Sequence, residues 1–193
     1  MSIAAQSGST GSEWKHGQAL FPQVRPLRRG FQEGAINPLR GTKATFFLPW
    51  DPSIYVVIDL PEAIFSDIGL LFLAHTHVPT IWNVRNVVIE NVDWVREGNA
   101  LRSSWKLPNN VSFGAFIAPV EHRIEMELWL RNGTTEPLTK LRTQICVLLK
   151  GAAGFDAQID TNKTFGKEVA SVRSADGRRS ILTQWEHCGR PPG

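Results

Sequence analysis

Ile124, Met126, Leu128 and Leu130 alternate, residue by residue, with Glu125, Glu127, Trp129 and Arg131. A period of two puts the two sets on opposite faces of a β-strand. The pattern recurs where Leu101, Ser103, Trp105 and Leu107 alternate with Arg102, Ser104 and Lys106. Strand signals follow one another from Ala44 onward: Ala44–Leu48, Ile54–Leu60, Gly69–His77, Val87–Arg96, Ala100–Leu107, Val111–Pro119, His122–Arg131 and Pro137–Lys150. Shorter ones follow at Phe165–Val172 and Ser180–Trp185. Pro49-Trp-Asp-Pro52, Glu97-Gly-Asn99, Pro108-Asn-Asn110 and Asn132-Gly-Thr-Thr135 are turn-forming separators. Pro61–Ser66 is expected to form one helical turn capped by Asp59. No long amphipathic helix is predicted, which excludes βαβ architectures. One packed face and one wet face mark antiparallel sheet. The predicted fold is all-β, an antiparallel β-sandwich of supersandwich or jelly-roll type.

Residues 1–43 are rich in Gly, Pro, Ser and Arg with little periodicity and read as a flexible basic arm. Residues 44–193 read as one β-sandwich domain, large enough to bury a core without staples. The abrupt stop in Cys188-Gly-Arg-Pro-Pro-Gly193, just after a strand, points to a missing C-terminal hairpin.

The net charge of +3 is unevenly placed. Six Lys/Arg face two acidic residues in 1–43 and four face two in 173–193, leaving eleven basic and fourteen acidic side chains in 44–172. Basic ends around a mildly acidic body argue against a nucleic-acid surface built into the fold. No apolar stretch approaches the roughly 18 residues that suggest a membrane span. The N-terminus lacks the basic and apolar regions of a secretory signal, so a cytoplasmic location is expected. Cys146 and Cys188 are the only cysteines. Without CxxC or Cys/His finger spacing, a structural zinc site of the usual type is excluded. Cys146, within Ile145-Cys-Val-Leu-Leu149, is expected to be a buried, inert thiol.

Candidate chemistry centres on His75 and His77, which follow the apolar run Gly69-Leu-Leu-Phe-Leu-Ala74. At i and i+2 on a strand, both imidazoles face one side and can converge on one divalent metal ion or one ligand. His122 is a third imidazole for that set if its strand is a neighbour. Glu125 and Glu127 share a face, where paired carboxylates can divide acid and base roles or form a solvated surface. No nucleophile motif such as GxSxG is present.

Seven tryptophans are many for 193 residues. Trp129 falls on the charged, outward face of its strand. There an indole is costly unless a second layer covers it or a ligand stacks on it. Flat aromatic platforms beside Glu and Arg suit the apolar faces and hydroxyls of a sugar. A carbohydrate cleft is therefore expected, lined by His75, His77 and Trp82, with Trp129, Glu127 and Arg131 as a second wall.

Three resemblances bear on these residues. Gly69-x5-His75-x-His77 resembles the start of the first cupin motif, whose barrel binds a metal through two such histidines, a glutamate and a later histidine. Here Ile81 and Trp82 stand where that glutamate would fall. Met126-Glu-Leu-Trp-Leu-Arg-Asn-Gly-Thr-Thr-Glu-Pro-Leu138 resembles the paired strands of galactose-mutarotase-like sandwiches. Asp59-Leu-Pro-Glu62, His75–Trp82, Leu107–Gly114 and Leu149–Phe155 are similar to a group of uncharacterised bacterial proteins, over about residues 44–188. The mutarotase-like resemblance implies a β-supersandwich and a sugar ligand, although its histidine acid and glutamate base have no matching motif here.

Three functions are thus in play. The first is a carbohydrate-recognising sandwich, either a binding module or a sugar-processing enzyme. The second is a metal-dependent hydrolase or isomerase of esters or lactones, using His75, His77 and His122. The third is a structural homo-oligomer subunit with an aromatic interface.

Overall fold

The computed structural model describes residues 2–7, 23–26, 42–74 and 78–186. Among them are thirteen β-strands and one 3-10 turn, Asn83–Arg85. The first five strands are β1 (Ser2–Ser7), β2 (Gln23–Pro26), β3 (Lys43–Leu48), β4 (Asp51–Ser66) and β5 (Gly69–Leu73). A meander follows: β6 (Val95–Glu97), β7 (Ala100–Lys106), β8 (Ser112–Val120) and β9 (Arg123–Arg131). The chain closes with β10 (Arg142–Leu148), β11 (Lys163–Phe165), β12 (Val169–Arg173) and β13 (Arg179–Gln184).

Every strand pair is antiparallel, and the strands form two sheets. The larger runs β11-β12-β13-β1-β9-β8-β7-β6, and the smaller runs β10-β4-β3-β2 with β5 added on β4. Alternation explains why they stack. Ile124 and Met126 of β9 are buried while Arg123, Glu125 and Glu127 are exposed. Leu101, Ser103 and Trp105 of β7 are likewise buried, with Arg102, Ser104 and Lys106 exposed. These apolar rows meet Phe46, Leu48, Val56, Ile58 and Leu60 of β3 and β4 in one core that draws on both sheets. A second apolar cluster gathers Phe72, Trp82, Trp105 and Phe113. In it the Trp105 and Phe113 rings stack at 5.8 Å between centroids. The fold is an all-β antiparallel sandwich, as the period-two pattern predicts.

Besides Phe165–Val172, which is the end of β11 and most of β12 joined by a turn, and residues 137–141, which are irregular, three expectations change. Pro61–Ser66 is strand rather than a helical turn, because β4 continues to Ser66. Its far half pairs with β5 and β10, and the ladder with β10 shifts register opposite Leu60, Pro61 and Glu62. Pro61 thus falls in a bulge, where a missing N–H breaks no ladder bond. The segment expected as a strand over Val87–Arg96 is irregular as far as Trp94, with β6 only at its end. Val87, Ile89 and Val92 pack against the second cluster as irregular chain, so their apolar character reports burial without sheet pairing.

The third concerns the N-terminal segment. Ordered strand is present well before Ala44. β1 lies between β9 and β13, with Ile3 only 3% exposed, and β2 pairs with β3. One isoleucine among small and polar residues is a weak strand signal; pairing from both sides supplies what local pattern lacks. The remainder of 1–43, apart from Thr42 and Lys43, lies outside the described residues.

Candidate functional site

At Ser2, the first residue of β1, the chain stands opposite Glu125 of β9 on one side and Gln184 of β13 on the other. Past that register, among the described residues, β9 runs on to Arg131 paired with β8 alone, and the chain leaves β13 through Trp185 and Glu186. No described strand bridges the two lines there. A cleft of about 470 Å³ opens there, lined by Phe116, Arg123, Glu125, Met126, Glu127, Gln184, Trp185 and Glu186.

Local bonds hold its walls. Trp185 donates its backbone N–H to the Glu168 carbonyl at 3.0 Å and its indole N–H to the Lys167 carbonyl at 3.1 Å. The Trp185 backbone and its ring nitrogen are thereby each held to the backbone leading into β12. Phe116 lies under the Arg102 guanidinium, 4.8 Å from the ring centroid, and Arg102 in turn donates to Glu97 at 2.9 Å. Arg123 donates to Glu125 at 2.6 Å, which occupies that carboxylate. Glu127 and Glu186 have no such partner among the described residues. Two acceptors therefore remain for a ligand, beside an oriented indole.

Trp129 follows Glu127 on the same face of β9, about 6.6 Å further along at the usual strand rise. It is partly exposed, and the reason is opposite it. Gly114 of β8 pairs with Trp129, and an atom in the Cβ position of Gly114 would meet the indole Cζ2 at 2.5 Å. The ring fills the space that a side chain would take, so β8 covers one side of it and leaves the rest outward. This is the covering layer the outward indole requires, supplied by a cross-strand glycine. Arg131 is exposed one step beyond, paired with Ser112. The expected wall of Glu127, Trp129 and Arg131 thus lies in one row, with Glu127 at the cleft.

The other expected residues lie elsewhere. His75 and His77 are outside the described residues. Trp82 is in the second apolar cluster, 3% exposed, with its indole N–H on the Leu71 carbonyl at 2.8 Å. It supports β5 from within that cluster. His122 is exposed in the turn joining β8 and β9, at the Ile124 end of β9. Ala74, the residue before His75, belongs to the cluster that holds Phe113, Leu107 and the partly buried Leu130, at the other end of these strands. Among the described residues no group of three or more His, Cys, Asp or Glu is placed to hold a metal ion. The histidine-based hydrolase reading therefore rests on residues outside the described structure.

Phe116, Arg123, Gln184, Trp185 and Glu186 are cleft residues that sequence reasoning does not reach. The Trp185-Glu186 pair after a strand was a visible signal, and so was the carboxylate row of β9. Their meeting was not visible, because it depends on β1 being inserted between β9 and β13. Comparison with protein families, with curated proteins and with solved structures finds no match for this chain.

Proposed function

We propose that this protein recognises carbohydrate in the cleft between β9 and the end of β13. The observation that carries the reading is the pairing of two unpartnered carboxylates, Glu127 and Glu186, with the backbone-fixed ring of Trp185 in one open cleft. Sugars present apolar C–H faces that stack on an indole and hydroxyls that donate to carboxylates. Ligand sites commonly combine such an aromatic surface with a few placed polar groups. The lining holds three carboxylates against one guanidinium. That balance disfavours acidic sugars and suits neutral or amino-substituted ones.

Screening the purified protein against an array of neutral, amino and acidic saccharides tests this reading, followed by titration calorimetry on the best binder. Neutral or amino saccharides should bind, and Trp185→Ala and Glu127→Ala should each weaken binding about tenfold, the equivalent of ~1.4 kcal/mol. A preference for acidic saccharides, or binding indifferent to both substitutions, would contradict it.

A further inference from the structure

The smaller sheet buries an ionisable pair. Lys43 of β3 stands directly opposite Asp59 of β4, and both side chains are fully buried. Lys43 Nζ is in direct contact with Asp59 Oδ2. The Thr42 hydroxyl donates to the other carboxyl oxygen, Oδ1, at 3.2 Å. Their surroundings are closed to solvent. Thr45 and Val57 on the same face are fully buried, and the Thr45 hydroxyl has no hydrogen-bond partner among the described residues. On the far side of β4 the residue opposite Asp59 is Cys146.

Lysine and aspartate are almost never buried to this degree unless paired, and an ion pair in a dry site is expensive to desolvate. Condensation replaces both charges with one neutral amide, which costs far less to bury. Reactive groups held in contact reach effective molarities on the order of 10⁵–10⁸ M.

We propose that Lys43 and Asp59 join in an intramolecular amide bond that ties β3 to β4. The Nζ lone pair attacks Asp59 Cγ, and the negative charge that develops on Oδ1 is met by the Thr42 hydroxyl. The Nζ–Cγ bond forms and the Cγ–Oδ2 bond breaks. Of the three ammonium protons one stays on the amide nitrogen, and two leave with Oδ2 as water. Nothing is oxidised or reduced, and no co-reactant is needed. Oδ1 becomes the amide carbonyl and keeps its bond from Thr42. The product places a neutral amide where two buried charges stood.

Mass spectrometry of a tryptic digest of the folded full chain decides the matter. Trypsin cuts after an unmodified Lys43, and no Lys or Arg lies between residues 44 and 84, so an unlinked chain gives peptide 44–85 at its sequence mass. The linked chain resists cutting at Lys43 and gives peptide 41–85, lighter than its sequence mass by one water. Lys43→Arg should restore peptide 44–85 at full mass, since a guanidinium does not condense. Asp59→Asn should give 41–85 lighter by one ammonia. The wild-type digest stands alone if either variant fails to fold. Peptide 44–85 as the main wild-type product, or 41–85 at full mass, would overturn the proposal.

Discussion

The Trp129 indole occupies the space over Gly114, its partner across the β8–β9 ladder. A Cβ at residue 114 would also lie 2.3 Å from the Ser103 carbonyl oxygen on the other neighbouring strand, β7. Backbone on one side and a large ring on the other leave no cheap adjustment. Gly114→Ala should destabilise the fold by roughly 1–3 kcal/mol through overpacking. For a chain of this size each kcal/mol lowers Tm by about 2–4 °C. Thermal unfolding followed by circular dichroism checks this, and an unchanged Tm would show that Trp129 moves aside freely.

Asp67, in the turn between β4 and β5, and Thr139, in the segment before β10, hold each other across 72 residues of sequence. The Thr139 N–H donates to the Asp67 carboxylate at 2.9 Å, and the Asp67 N–H donates to the Thr139 carbonyl at 2.9 Å. The Thr139 N–H, chiefly, holds the Asp67 carboxyl below its ordinary value of 3.8. A carboxyl whose pKa is depressed on folding adds stability above its unfolded value and loses it as pH falls through the folded one. Stability measured from pH 7 down to pH 3 should therefore decline less for Asp67→Asn than for the wild type. Parallel curves would mean the contact does not distinguish the two protonation states.

Much of this fold is legible in the chain because it is written at period two. Ile124 and Met126 against Glu125 and Glu127, and Leu101 and Trp105 against Arg102 and Lys106, announce which face is packed. What escapes is long-range. Ile3 in β1 has almost no local signal, and its place is set by β9 on one side and β13 on the other. Pro61 reads as a stop, yet the strand passes it by a bulge against β10. The candidate site divides the same way. The Glu127–Trp129–Arg131 row follows from alternation alone, whereas Trp185 and Glu186 reach Glu127 only through that insertion of β1. Trp82 shows the converse error, since a tryptophan near histidines looks like a ligand platform until its N–H is seen bonded to Leu71.

Cys146 supplies a third prediction. Burial, chiefly, pushes its thiol from 9.0 up to about 11, and the nearby Glu62 carboxylate adds to the shift. The thiolate is the reactive species, so at neutral pH native Cys146 should alkylate far more slowly than an unfolded thiol. Iodoacetamide labelling read on peptide 143–150 measures this, and equal rates in native and urea-unfolded protein would contradict it. The linkage has a definite sign. A group whose pKa rises on folding stabilises below its unfolded value, and that contribution is lost as pH climbs from 9.0 toward about 11. Cys146→Ser, which lacks this titration, should show a smaller loss of stability across that window.

The indole N–H resonances of the protein, followed by ¹H–¹⁵N NMR during titration with neutral and amino saccharides, test the central claim most directly. Trp82 and Trp94 are internal references, because their N–H groups are buried on the Leu71 and Lys43 carbonyls at 2.8 and 2.9 Å. A saccharide in the cleft should shift the Trp185 and Trp129 signals along one common saturation curve while Trp82 and Trp94 stay in place. Silence at Trp185 and Trp129 with every saccharide, or shifts at the buried pair alone, would contradict carbohydrate recognition at this cleft.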